Sequence, residues 1–492
     1  MGNTIAAADK KYKNDLLVSF IAFAIFLFTY LGPIPATMTR GLFMLIGTVV
    51  LSSIMWLLIG INWTNYFILL TLILNPDYGL TKVRQNSFGN STVFFFICAF
   101  ALVSCLLASG VTKRLAVLIC TSKWSKKGPW WRVFTIFLAT WVLCQGLAST
   151  TILVISYALV EAILGIAGYN KGDETGKMMI HGTGIIAQSA MGMTPIAHIV
   201  AINAVTYYNT YTGNELDFLD FCLIGIPMGI LIFALFFMYF RFVWKPEDLD
   251  RLSAANYDEL RTQLGPWTKQ EKIVGVTYIV AIIFWILPGL GKYIPGMDWL
   301  SNIDNCTPPL VAVTFLALMR VEGKPLFDYK RAITKDIPWI TLMFSATLNC
   351  VGNALSNTDI GFSVWATATF SPIMGNFSPF LFVCIILVGS LVLTNFISNN
   401  VTLAIAFAVG FPIAANIFQG KVSVVGMAIL LAGTCNLGIA TPPACTPIAM
   451  AELTGWTDTK SMWKHGWRMV AIASLVYCFV AYPLSTIVLG LR

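Results

Sequence analysis

Residues 387–407 read LVGSLVLTNFISNNVTLAIAF, and residues 137–156 read FLATWVLCQGLASTTILVIS. Each is an apolar stretch interrupted near its middle by a short block of small or polar residues. The blocks are Ser398-Asn399-Asn400 in one and Ala148-Ser149-Thr150 in the other, about 250 positions apart. The apolar regions around them, 372–418 and 133–168, are too long for a single crossing, which takes about 20 residues as a helix. A polar block halfway along cannot face lipid, because the hydrocarbon offers no hydrogen-bond partners. Both regions therefore read as re-entrant hairpins whose polar tips lie inside the protein.

The likeness extends on both sides of the hairpins. STVFFFICAFALVSCLLASGV (91–111) precedes the first, and DIPWITLMFSATLNCVGNALSNTDI (336–360) precedes the second. A break marked by glycine and proline follows each, AMGMTPIAH at 190–198 and LGIATPPAC at 437–445. Internal repeats of this length set the architecture. The halves take opposite membrane orientations, which makes the repeat inverted and points to a secondary transporter. Half-helix N-termini exposed at such breaks attract an anion, and carbonyls at opposing ends coordinate a cation. Such a site needs no Lys or Arg, and none lies at either tip or either break.

Composition agrees. Of 492 residues, 57% are hydrophobic and 11% charged, too few charges to cover a water-soluble surface, where about a quarter is usual. Eleven spans are predicted at 15–35, 41–61, 63–80, 91–110, 178–206, 218–240, 272–290, 308–320, 336–356, 423–451 and 466–489, the fifth and tenth being broken helices. The net charge of +8 is a matter of topology: with the N-terminus cytoplasmic and the C-terminus outside, 25 of the 31 basic residues face the cytoplasm. The layout is a tail at 1–14, a first half at 15–240, a cytoplasmic connection at 241–271 and a second half at 272–492. Lys10, Lys11 and Lys13 lead into a span without a small-residue cleavage site, so the first helix is expected to stay as an anchor. The 11 cysteines show no metal or redox spacing. Tryptophans near span ends, such as Trp130, Trp131, Trp339 and Trp467, read as interface anchors.

The hydroxyl of Ser398 and the amides of Asn399 and Asn400 offer oxygens to a hard cation and N–H donors to a carboxylate, and Thr394 sits one turn earlier. The competing reading is interhelical hydrogen bonding. Three consecutive polar residues, mirrored in the other half, favour a site. Ser149, Thr150 and Thr151 are weaker alone, because such residues often bond their own helix carbonyls. Pro442 and Pro443 cannot continue a helix, which frees carbonyls near Gly438, Ala440 and Thr441; Gly192, Thr194 and Pro195 mark the counterpart. His198 reads as a packed histidine and is left outside the site. Glu161 is the one acid within an apolar stretch of either hairpin, a functional candidate that lies near a solvated end.

In these residues the chain resembles the divalent anion:sodium symporters, transporters of dicarboxylates, citrate or sulfate. ASGVTKRLAV (108–117) is similar to the family's basic turn, and LFDYKRAITKDIPWITLMF (326–344) to its approach to the second repeat. LTNFISNN (393–400) resembles the second Ser-Asn-Thr motif, and ATPPA (440–444) the Thr-Pro-Pro-Asn break. The resemblance implies a homodimer with a static scaffold and a transport domain moving like an elevator. It implies a second sodium site at Thr394, Ser398, Asn399 and Ala440, and a first at Ser149, Gly192 and Thr194. Substrate carboxylates would meet Ser149, Thr150, Asn399, Asn400, Thr441 and Pro442. Several positions depart from the pattern. Ala148-Ser149-Thr150 stands where Ser-Asn-Thr is expected, Cys144 where serine is usual, and Asn400 where the second motif has threonine. His198-Ile199-Val200 replaces Thr-Pro-Pro, and Ala444 replaces asparagine. The first sodium site thus loses oxygens. The expectation is sodium-coupled transport of a small carboxylate-type anion, with sodium-independent exchange as the alternative. An intramembrane enzyme lacks its constellation: there is no metal-binding His pair, no aspartate pair within the spans and no Ser/His arrangement that repeats across the two halves.

Overall fold

The computed structural model describes residues 2–145, 150–254, 257–291, 304, 306–374 and 377–491. Seven helices among them are long and apolar enough to cross a bilayer: Tyr12–Leu31, Arg40–Leu58, Gly79–Ser109, Phe218–Trp244, Lys269–Pro288, Asn399–Asn416 and Thr459–Leu489. Their outward faces carry exposed large apolar side chains, such as Phe20, Ile230, Val276 and Ile487, the surface that lipid covers. The chain is a multi-pass, all-α membrane protein.

Helix ends follow local chemistry. Side-chain caps start several helices, with Asn90 accepting from the Thr92 N–H, Ser423 from Gly426 and Asp458 from Ser461. Gly110 ends Ser91–Ser109 in the left-handed region, φ 85°, a conformation that glycine adopts without a steric cost. The predicted span at 63–80 is interrupted: Thr64–Ile73 stops, and Gly79–Asn86 restarts after Asn75-Pro76-Asp77. Pro76 has no N–H to give a helix, and the Asn75 side chain takes the Asp77 N–H instead (3.0 Å).

The two halves run through the same series of elements. Ser91–Ser109 corresponds to Trp339–Ser356, and the short helix Val111–Cys120 to Phe362–Met374. The first hairpin has arms Pro129–Leu143 and Thr150–Ile166; the second has Pro379–Leu393 and Asn399–Asn416. The first broken helix is Glu174–Ala190 with Ile199–Thr212, and the second is Val424–Cys435 with Thr446–Leu453. Phe218–Tyr239 and Thr459–Leu489 close the halves. The second hairpin begins at Pro379; the sequence reading started it at 372, inside a separate helix. A two-stranded antiparallel hairpin, Arg320–Val321 with Lys324–Pro325 and the register Arg320↔Pro325 and Val321↔Lys324, turns through Glu322 and Gly323 on the way to the second repeat.

The broken helices hold the halves together. Ile199–Thr212 packs on both Val424–Cys435 and Trp339–Ser356, and Tyr207 stacks on Phe407 with ring centroids 4.7 Å apart. The backbones touch where Gly192 meets Gly433: a Cβ on Gly192 would stand 2.6 Å from the Gly433 Cα. Backbone cannot swing aside as a long side chain can, so Gly192→Ala is expected to destabilise by about 1–3 kcal/mol. A lowered apparent melting temperature in detergent checks this, and an unchanged one would contradict the close approach.

Candidate functional site

The tip of the second hairpin is held by a residue that the sequence reading passed over. Asn395 is fully buried. Its amide nitrogen donates to the carbonyls of Leu391 (2.7 Å) and Leu437 (3.1 Å). Its amide oxygen accepts from the N–H groups of Ile439 (2.8 Å) and Ala440 (2.7 Å). Thr441 donates its hydroxyl to the Asn395 carbonyl. Break 436–445, where proline and glycine leave backbone unpaired, thus finds its partners in one asparagine of the hairpin.

Beside this clamp lies an oxygen cluster. Thr394 Oγ1 is 2.8 Å from Asn399 Oδ1 and 2.6 Å from the Cys435 carbonyl. The hydroxyl has one proton, so it cannot fully satisfy both acceptors, and lone pairs remain. Thr394 caps the C-terminus of the second hairpin's first arm, Pro379–Leu393, and Cys435 ends the helix before the break. Both helix ends carry negative partial charge. Two of the three oxygens lie at such ends, the third is the Asn399 amide oxygen, and together they suit a hard cation.

On the other side of Asn399 is a cavity of about 150 Å³. Leu153 reaches it from the first hairpin and Gln188, Met191 and His198 from the first broken helix. Ser398, Asn399 and Asn400 form the second hairpin's wall, and Ala444, Cys445, Thr446 and Pro447 the second break's. Neither Lys, Arg, Asp nor Glu is among these residues. The caps or first residues of three helices are: His198 before Ile199–Thr212, Ser398 before Asn399–Asn416 and Cys445 before Thr446–Leu453. Helix N-termini present free N–H groups and positive partial charge, so the cavity attracts an anion without a formal cation.

Side chains add directed donors. Gln188 is buried, and its Nε2 has no hydrogen-bond partner. Leaving a buried donor unpaired costs about 1–3 kcal/mol, which a ligand oxygen would recover. Asn203 Nδ2 lies 3.5 Å from Asn400 Oδ1, which leaves the Asn400 N–H groups for the cavity. Asn399 Nδ2 reaches Asn436 Oδ1 (3.4 Å), and Asn436 in turn donates to the carbonyls of Met191 (3.3 Å) and Ala432 (2.8 Å). His198 Nδ1 faces the Val200 N–H at 3.5 Å, and its ring lies beside Asn436. The two breaks are therefore linked through Asn436.

Of the sequence-derived residues, Asn399 and Asn400 line the cavity and Ser398 sits at its edge; Thr394 joins Asn399 in the oxygen cluster. Thr441 turns onto Asn395, Ala440 gives its N–H to the same residue, and Pro442 is absent from the lining. Ala444 to Pro447 hold that wall instead, because the turn at Pro442–Ala444 brings the start of the next helix inward. Gly192 lies against Gly433, and Thr194 Oγ1 is buried without a partner. Ser149 and the Thr150 side chain fall outside the described residues. Glu161 accepts from the indole of Trp456 (3.0 Å) away from the cavity. Gln188, Asn203, Asn395, Asn436 and Cys445 are not singled out by the sequence, and His198 is weighed there and set aside as packed. A signal existed for two: Asn395 stands inside the quoted motif, and His198 replaces a residue of the first break.

Comparison with known proteins shows the company this geometry keeps. The sequence profile of the family described as "Sodium:sulfate symporter transmembrane region" matches residues 13–490. A sodium-dependent dicarboxylate transporter of Staphylococcus saprophyticus, SdcS, is 24% identical over 443 residues, 86% of this chain and 82% of the relative. SdcS of Staphylococcus aureus is 22% identical over 445 residues, with the same coverage. Among solved structures, the YdaH transporter of Alcanivorax borkumensis aligns with a TM-score of 0.57 at 12% identity, over 83% of this chain and 88% of that one. MtrF of Neisseria gonorrhoeae, described in a class of antimetabolite efflux pumps, aligns at 0.52 and 12%, over 94% and 97%. At such identity these two structures show the shared fold. The match from residue 13 to residue 490 decides the rest: the chain is a membrane transporter and belongs to the sodium:sulfate symporter family.

Proposed function

We propose that this protein is a secondary active transporter that carries a small dicarboxylate, or a similar carboxylate anion, coupled to Na⁺. One observation carries the reading: Asn399 lies between an uncharged cavity ringed by helix N-termini and an oxygen cluster that it completes with Thr394 and the Cys435 carbonyl, both at helix C-termini. An anion in the first and a cation in the second would share one side chain, so each would favour the other's binding, a coupling that is reciprocal. The names of the staphylococcal relatives agree with this assignment.

In this reading the hairpins and broken helices form the moving part of a homodimeric elevator, with the N-terminus in the cytoplasm and the C-terminus outside. The second hairpin binds sodium through Thr394, Ser398 and Asn399, together with carbonyls of the second break. Asn399, Asn400, Gln188 and His198 hold the anion. Ser149 and Thr150 of the first hairpin complete the site from the other side. The first sodium site, at Ser149, Gly192 and Thr194, is the poorer in oxygens.

Uptake into proteoliposomes tests the coupling. An inward Na⁺ gradient is expected to drive accumulation of a C4 dicarboxylate, and replacement of Na⁺ by K⁺ to reduce the rate about tenfold or more. Uptake unaffected by that replacement but dependent on internal anion would establish exchange and refute symport. If neither condition drives any of a panel of dicarboxylates, sulfate and sulfonates, the anion reading itself fails.

A further inference from the structure

A second cleft, of about 670 Å³, opens on the lipid-facing side between the first hairpin and the helix Lys269–Gly291. Leu106, Leu115, Val142, Val276, Ile279 and Ile282 make its walls apolar, and Val276 and Ile279 are well exposed. It runs along the helix from Glu271 to Ile282, about 16 Å at 1.5 Å per residue. That is about the depth of one leaflet's hydrocarbon.

Two features separate this cleft from an ordinary lipid-facing groove. Thr112 Oγ1 and Tyr278 Oη, on residues lining it, are buried and have no hydrogen-bond partner, and Gln145 Oε1 at its deep end is likewise unpartnered. In an apolar setting an unpaired hydroxyl is costly, so the two hydroxyls call for acceptor atoms from an occupant. The rim, at the membrane surface, is charged. Arg114 lies 2.7 Å from Glu271 and binds the carbonyls of Leu264, Gly265 and Pro266, and its guanidinium covers the ring of Trp267. Lys272 is the third charged group there. Arg114 cancels Glu271, and Lys272 leaves the rim positive.

We infer that this cleft is a binding site for one anionic glycerophospholipid. Its acyl chain would fill the apolar channel, its ester carbonyls would accept from Thr112 and Tyr278, and its phosphate would meet Lys272 beside Trp267. Ester oxygens are acceptors alone, which is what two unpaired hydroxyls require. Indole and lysine at the headgroup level are the usual anchors of such a lipid. The lipid would wedge the first hairpin against Lys269–Gly291 and touch neither the cavity nor the oxygen cluster.

The test is native mass spectrometry of the purified full-length chain after delipidation, titrated with dioleoylphosphatidylglycerol or dioleoylphosphatidylcholine. The wild type should retain one phosphatidylglycerol at least about fivefold more tightly than phosphatidylcholine. Gly275→Phe should lose it, because a Cβ there meets Val111 only at 3.8 Å and the ring projects into the cleft. Lys272→Gln should erase the headgroup preference. If Gly275→Phe fails to elute as a folded species, the pair Thr112→Val and Tyr278→Phe, which keeps the shape and removes both donors, should weaken binding in its place. Equal lipid retention in wild type and these variants would overturn the site. So would equal binding of the two lipids by the wild type, or loss of chain–chain association without loss of lipid in Gly275→Phe, which would make a second copy the occupant.

Discussion

Asn399→Ala is expected to reduce dicarboxylate uptake about a hundredfold or more, to the level of empty liposomes, while the protein still elutes as a folded species. The side chain serves three neighbours at once. Its oxygen stands 2.8 Å from Thr394 Oγ1 in the candidate cation cluster, its nitrogen reaches Asn436, and its position lines the candidate anion cavity. Losing a ligand oxygen and an anion donor costs about 1–3 kcal/mol each, and every 1.4 kcal/mol is tenfold. Uptake and Na⁺-dependent thermal stabilisation should fail together. An Asn399→Ala protein that transports at the wild-type rate would remove the second hairpin from the mechanism. One that binds Na⁺ normally but not the anion would remove the shared-residue coupling.

Asn395→Ala is expected to act on stability rather than on the ligand directly, and to be the most damaging single change in the hairpins. Four hydrogen bonds to buried partners go at once, two given and two received. With about 1–3 kcal/mol for each buried group left unpaired, a loss of about 3 kcal/mol or more follows even if some partners find water. The apparent melting temperature in detergent should fall by about 3 °C or more. Asn395→Asp keeps the size and the acceptor but cannot donate to the Leu391 and Leu437 carbonyls, and should fall almost as far. If both variants melt like the wild type, the clamp between tip and break is not what holds that region.

Much of this architecture was legible in the chain because membrane burial makes polarity expensive. Polar blocks recurring 250 residues apart inside apolar stretches leave few structures besides paired hairpins. The helix Phe362–Met374 was not legible, since its apolar run passes into the hairpin with only a few residues between, and its Pro372 sits near the end, where the helix tolerates it. Asn399 and Asn400 stood out as neighbours in sequence. Gln188 and Asn203 did not, because a single amide in a helix of small and apolar residues looks the same whether it binds another helix or a ligand. Asn395 was hidden for a different reason. Two of its bonds run to backbone N–H groups 44 and 45 residues later, partners that no local pattern announces. His198 is visible but not as part of a site: without a carboxylate near it in sequence it reads as structural, and only the fold brings it beside Asn436 and into the cavity wall.

The central claim is that the transported anion sits among the two broken helices and the second hairpin, touching Asn399. A cryo-electron-microscopy map of the protein in lipid nanodiscs, with Na⁺ and a saturating dicarboxylate that it transports, tests this most directly. Ligand density is expected, bounded by Gln188, His198, Asn399 and Asn400, with a carboxylate facing the first turn of Asn399–Asn416, and none there when Na⁺ is replaced by K⁺. Density for the transported ligand elsewhere, with this cavity empty, would contradict it.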